Sequence, residues 1–442
     1  MTSVIGIIVA VIVMVVLYYY DFQPFFAAVI ATLILCLFNG LPIMETLCRT
    51  MITGGASTMA MVLSMSLPGA VLAQIYNESG AANAMARTVS GAIEKISGKT
   101  FRGQLHAALL TIELISAILL LGGMNGFVVM FATFPIVISL LKKLNLPRRY
   151  TIGLTMGLSC WCNIIPGSPQ MYNALVVNFV NGAGGHTTAA GALVPGLITA
   201  LFMAAASYFY FYFALTREHN KGCEYVPGRG DPEEKALENP PHFLLTLIPL
   251  IVVFATYNFL HWELGASTTV AFIVALLLFH KNLGKPKQMM ATVGRGVEFV
   301  SVTLIIVVAV AGFGSVMSST EGFQIITRTM LSLSGNMPLF ALALAVLVLV
   351  GIQGNGNGGL MIAVPVLAPI FLAMGLNGEA IHRVASVAAT TFDSLPTSSV
   401  VIGLLAMLGQ KQRDTYGPVF VSTVLITILA TILCTILCTV ML

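Results

Sequence analysis

Charge is what this sequence has least of. Asp, Glu, Lys and Arg together make up 9% of its 442 residues, about a third of the share in an ordinary soluble domain, which excludes a water-facing globular surface. The 21 basic residues form no stripe on which a nucleic acid could rest, so no nucleic-acid partner is expected. Seven cysteines are scattered through apolar runs without metal-type or secreted-domain spacing, and neither a metal site nor a cofactor is expected. There is no His-Glu-x-x-His, no Gly-x-x-x-x-Gly-Lys-Ser/Thr loop and no Gly-x-Ser-x-Gly elbow. Zinc hydrolysis, ATP hydrolysis on this chain and the common serine nucleophile therefore find no support, and an enzyme is not expected.

What is present is apolar: 57% hydrophobic residues and a mean hydropathy of +0.93. Runs near the ~20 residues that cross a hydrocarbon core recur along the whole chain, which reads as an all-α polytopic membrane protein. Within them, polar stretches rich in Gly and Pro recur at a constant offset. Met124-Asn125-Gly126 is echoed by Gly354-Asn355-Gly356, and Asn163-Ile164-Ile165-Pro166-Gly167-Ser168 by Asp393-Ser394-Leu395-Pro396-Thr397-Ser398. Pro135 matches Pro365 and Leu146 matches Leu376 without a gap. Helix breakers at membrane depth expose backbone groups that lipid cannot satisfy, so they belong where protein or a watery cavity covers them. A repeated pair of such segments is the mark of a transporter's binding site.

The apolar runs 104–121 and 127–141 are joined only by Gly122-Gly123-Met124-Asn125-Gly126, and 337–352 and 359–373 only by Gln353-Gly354-Asn355-Gly356-Asn357-Gly358. Such joints predict helical hairpins at 104–141 and 337–373. If both hairpins re-enter instead of crossing, ten crossings remain and both termini lie on one side. With the termini outside, 18 of the 21 basic residues fall in the cytoplasm and only Arg49, Arg328 and Arg383 lie opposite, as the positive-inside rule requires. The first hairpin then opens to the cytoplasm and the second to the outside, giving two inverted repeats. The first covers 1–216 with a broken helix at 150–180, the second 243–442 with a broken helix at 379–409. A hydrophilic cytoplasmic linker, 217–242, separates them.

Asp393 is the sharpest residue of all, because an acid at membrane depth needs a reason. Pro396 breaks the helix around it, and Ser394, Thr397, Ser398 and Ser399 can cap a new helical N-terminus, whose partial positive charge suits a carboxylate. Asn163, Pro166, Gly167 and Ser168 repeat the device with a neutral amide. We expect Asn125 and Asn355 to face Asn163 and Asp393 across a midplane cavity, with Gly126 and Gly356 allowing close backbone approach. Gly167, Ser168, Asn357, Ser394, Thr397 and Ser398 complete the expected substrate site, and Asp393 is the expected proton-coupling group. Arg383 is expected at the outer entrance, attracting anions or snorkelling to the interface. A small organic acid moved with protons fits this set; a sodium-coupled carboxylate symporter or a sodium/proton exchanger fits its amides and hydroxyls as well.

The run His382-Arg383-Val384-Ala385-Ser386, then Phe392-Asp393-Ser394-Leu395-Pro396, and Val401-Ile402-Gly403-Leu404-Leu405 on to Arg413-Asp414-Thr415-Tyr416 resembles the signature end of the gluconate:proton symporter (gluconate permease) family, within the ion transporter superfamily. The resemblance implies a scaffold that forms a homodimer and a transport domain that moves like an elevator in a bacterial inner membrane. Gluconate permeases follow Leu-Pro with His-Asn-Gly, where this chain has Thr397-Ser398-Ser399. That difference points to a smaller or less hydroxylated cargo, such as a hydroxybutyrate-like monocarboxylate.

Overall fold

A computed structural model describes residues 2–19, 22–98, 100–124, 126–228, 241–333, 337–396 and 398–442. Asn125, Thr397 and the linker centre at 229–240 lie outside the described residues. Everything regular among the described residues is helical, and two halves follow the same order. The first comprises α1 (Thr2–Tyr19), α2 (Pro24–Asn39), α3 (Ile52–Glu78), α4 (Ala81–Ser97), a hairpin of α5 (Phe101–Leu121) and α6 (Gly126–Lys143), a broken helix of α7 (Thr151–Gly157) and α8 (Met171–Gly182), and α9 (Leu193–Asn220). The second comprises α10 (Phe243–Asn258), α11 (Leu264–Leu278), α12 (Pro286–Ser318), α13 (Glu321–Leu333), a hairpin of α14 (Pro338–Gln353) and α15 (Gly356–Ala373), and a broken helix of α16 (Gly378–Ala389) and α17 (Ser399–Leu408). It ends in α18 (Gln412–Phe420) and α19 (Ile426–Met441), joined by a π-helical turn at Val421–Leu425.

The long helices α3 and α12 make the most extensive pairing among the described residues. Glycine sets their approach. A Cβ on Gly54 would lie 2.1 Å from Ser315 Oγ, one on Gly55 2.3 Å from the Val308 carbonyl oxygen, and one on Gly312 2.4 Å from that of Met51. Close backbone contact through small residues is how helices gain packing energy where lipid is as apolar as leucine. Beside pairings within each half, such as α1 on α2 and α10 on α11, other contacts cross between halves: α11 packs on α3 and α2 on α12, while amphipathic α4 leans on α10 and amphipathic α13 on α1. One end of this framework is tied by Glu78 on α3, which accepts hydrogen bonds from Arg295 and Thr292 of α12.

The hairpins and broken helices form a second body, closed by α9 against α19. Gly123 at the first tip has φ +81° and Gly354 at the second has φ +61°, the left-handed region that glycine enters without strain. A Cβ on Gly122 would meet Leu250 Cβ at 2.6 Å, and one on Gly123 would meet Val253 Cγ1 at 2.2 Å. The first tip is thereby pressed into α10. Both helices break at the expected places, between α7 and α8 and between α16 and α17. Across the first break, Gly167, at φ +81°, donates its N–H to the Ala189 carbonyl at 2.9 Å.

Three helices among the described residues are long and apolar enough to cross a membrane by themselves: Phe101–Leu121, Leu193–Asn220 and the run Gln412–Met441. An arm as long as α5 reaches about 31 Å.

Candidate functional site

Arg383 is where the geometry departs furthest from expectation. It is fully buried, 0% exposed, and does not stand at an entrance. From α16 it reaches into the break of the first half, donating to the carbonyls of Ile164, Ala189 and Gly191 and to Asn173 Oδ1. Unwound backbone needs donors to replace its lost helical partners, and a guanidinium supplies five in a fixed fork. Asn173 donates in turn to the carbonyls of Ile165 at 3.2 Å and Ser168 at 3.3 Å. One repeat thus braces the irregular chain of the other.

Beside this brace lies a cavity of about 70 Å³. All four interrupted elements reach it: the first hairpin with Gly123, Met124 and Gly126, the first broken helix with Met156, Cys160, Asn163 and Pro169 to Tyr172, the second hairpin with Asn357, and the second broken helix with Asp393, Ser394 and Val400. Asp393 is partly buried. Its Oδ2 accepts from the Tyr172 hydroxyl and its Oδ1 from Ser394 Oγ at 2.6 Å. Hydrogen bonds to an ionised acceptor are the strong ones, so these two hold the carboxylate firmly. Asn357 Oδ1 is buried and has no hydrogen-bond partner among the described residues.

Of the residues singled out by sequence, Gly126, Asn163, Asn357, Asp393 and Ser394 line this cavity. Asn355 does not. Its Oδ1 accepts from Gly358 N at 3.1 Å, capping α15, so the second hairpin meets the cavity through Asn357 instead. Gly356 carries a steric role: a Cβ there would lie 2.5 Å from Tyr172 Cε1 and 2.8 Å from the Ala389 carbonyl oxygen. Gly167 faces Asn258 of α10, Ser168 donates to the Cys162 carbonyl at 2.6 Å, and Ser398 is buried away from the lining. Asn125 and Thr397 are not among the described residues.

Two contributors were not foreseen. Tyr172 bonds Asp393 while its ring fills the place that Gly356 leaves open. Gln170 Nε2 donates to the carbonyls of Leu120 at 2.6 Å and Met124 at 3.0 Å, binding the first hairpin tip to the first broken helix. Both are polar groups within a ~30-residue apolar run, and polarity at membrane depth was the available signal. A second cavity, about 340 Å³, adjoins through Leu264 and is lined by Asn178, Asn181, Thr187, Asn258, His261 and Glu263 among others. It runs between the second body and the α10–α11 turn.

Two opposed repeats, with hairpins and broken helices meeting at a carboxylate, define a polytopic membrane transporter. The chain belongs to the family described as Tripartite ATP-independent periplasmic transporter, DctM component, whose sequence pattern matches residues 8–440. It is 24% identical to the uncharacterized transporter YxjC of Bacillus subtilis, covering 81% of this chain and 82% of that protein. It is also 24% identical to an uncharacterized transporter of Haemophilus influenzae, over 79% and 78% of the two chains. The crystal structure of the Alcanivorax borkumensis YdaH transporter, reported to have an unusual topology, shares the fold with a TM-score of 0.55 at 11% identity, over 97% of this chain and 98% of that one. The gluconate permease assignment is corrected by the family match. The segment that suggested it is dominated by buried His382 and Arg383 and by a Ser-Leu-Pro break. Those features serve the broken-helix architecture and do not specify a single family.

Proposed function

We propose that this protein is a secondary transporter that takes up a small organic anion, a hydroxy monocarboxylate, by proton symport across a bacterial inner membrane. One observation carries the reading: Asp393, bonded by Tyr172 and Ser394, shares a confined cavity with Asn163, Asn357 and the start of α8. No side-chain hydrogen bond caps α8, and its first residues, Met171 and Tyr172, line the cavity. An open helix N-terminus presents N–H groups and partial positive charge to an anion. Asp393 takes up the proton that lets a second negative charge enter, and releases it when the cargo leaves.

In this reading the body holding the hairpins and broken helices is the moving part, and α1 to α4 with α10 to α13 are the stationary one. Both termini lie outside, and the linker side is cytoplasmic. The glycine-tipped first hairpin slides past α10 in an elevator movement. The scaffold supports a homodimer, and the tripartite family description brings two further components to the assembly.

The test is radiolabelled uptake into proteoliposomes with proton and sodium gradients imposed separately. Asp393→Asn should abolish proton-driven accumulation and retain counterflow exchange. Undiminished uphill uptake by that variant, or accumulation driven by sodium alone, would refute the proton assignment.

A further inference from the structure

Resting on the reading of this cavity as an organic-anion site, we infer that its cargo is a short-chain aliphatic monocarboxylate, and that dicarboxylates and polyhydroxy acids are excluded. Charge gives the first half of the argument. Among the described residues no lining side chain is basic, and the one charged group is Asp393. The nearby guanidinium of Arg383 is committed to carbonyls of the first break and the loop after α8. A cargo with one carboxylate can use the N-terminus of α8 and a protonated Asp393. A second carboxylate would meet no counter-charge in a confined, protein-lined space, and burying an unpaired charge is strongly unfavourable.

The remaining wall gives the second half. Met124, Met130, Met156, Met171 and Cys160 surround the polar groups, so four of seventeen lining residues are methionine, against 22 of 442 in the whole chain. Thioethers are weak acceptors and never donors, and they pack adaptably against hydrocarbon. The hydroxyls of a sugar acid would lose water against this surface without compensation. A propyl or butyl tail would not. A single hydroxyl has Asn163 or the unpartnered Asn357 Oδ1 to bond.

The experiment is thermal unfolding of the purified full-length protein with butyrate, 3-hydroxybutyrate, succinate and gluconate, each titrated to saturation. Butyrate and 3-hydroxybutyrate should raise the midpoint and bind more tightly than the other two by about tenfold or more. Equal or better stabilisation by succinate or gluconate overturns the inference and leaves the organic-anion reading standing. If none of the four shifts the midpoint, that reading falls, and this inference with it. Met130→Ala and Met156→Ala, measured from propionate to hexanoate, should move the preferred chain to greater length, at about fourfold per added methylene. An unchanged order in both folded variants would remove the methionine wall as the specificity surface.

Discussion

Replacing Arg383 with methionine tests the internal brace directly. The guanidinium makes five hydrogen bonds to four acceptors, the carbonyls of Ile164, Ala189 and Gly191 and Asn173 Oδ1. Methionine matches the length but leaves those acceptors without their donor. At about 1 kcal/mol for each stranded group, the loss is roughly 4 kcal/mol. Relief from burying a cation acts in the opposite direction by about 2 kcal/mol, leaving a net destabilisation of about 2 kcal/mol. Spread over the unfolding entropy of a 442-residue chain, that should lower the midpoint of thermal unfolding in detergent by about 2 °C. Uptake should fall further, since Asn163 on the cavity wall adjoins the Ile164 carbonyl that Arg383 holds. Arg383→Lys separates geometry from charge, because an ammonium cannot span four acceptors as a planar fork does. Lysine should therefore recover little. Full recovery by lysine would restore the anion-attracting role, and an Arg383→Met protein with wild-type midpoint and uptake would refute the brace.

Gly356→Ala should reduce the initial rate of uptake, because the new methyl collides with Tyr172 and the Ala389 carbonyl, an overpacking of about 1 to 3 kcal/mol. Tyr172→Phe keeps that ring and removes only the hydroxyl on Asp393, so its unfolding midpoint should stay near wild type while transport weakens; a wild-type uptake rate would show the hydroxyl to be idle. Burial alone would raise the Glu78 carboxyl, but hydrogen bonds from Arg295, Thr292 and Gln74 outweigh it and hold the group below the ordinary carboxylate range. Its stabilising effect is therefore complete above the unfolded carboxylate pKa of about 4.3 and fades as pH falls through the lower folded value. Glu78→Gln should lower stability at neutral pH by about 1 kcal/mol or less, since Arg295 is half exposed, and should converge on the parent in acid. A constant difference from pH 7 to pH 3 would contradict the sign.

The architecture was legible because breakers in an apolar chain have few explanations. Pro166 and Pro396 remove a helical donor within clusters of Gly, Ser and Thr that readily turn, unlike Pro68 and Pro249, which stay inside α3 and α10, and the glycine joints at 122–126 and 353–358 turn the chain for steric reasons that need no neighbours. Partner choice was not legible. Whether an asparagine at a tip caps a helix, as Asn355 does, or faces a cavity, as Asn357 does, depends on a register of two residues. Arg383 could have been interfacial or internal by composition alone, and only the folded chain brings the carbonyls of 164, 189 and 191 around it. The family likeness misled for a related reason: a break built from Asp, Ser, Leu and Pro satisfies a constraint common to many broken helices.

The α3–α12 crossing also bears on how the chain is made. The glycine face of α3, at Gly54 and Gly55, finds its partner only in residues around 308 to 315 of α12. During synthesis the first half must therefore wait in the bilayer with that groove open to lipid until α12 has left the ribosome. A chain halted at the linker would insert its helices but have nothing to close them. Supplied as a separate polypeptide, the second half should rescue it, because each half carries the surface that completes the other.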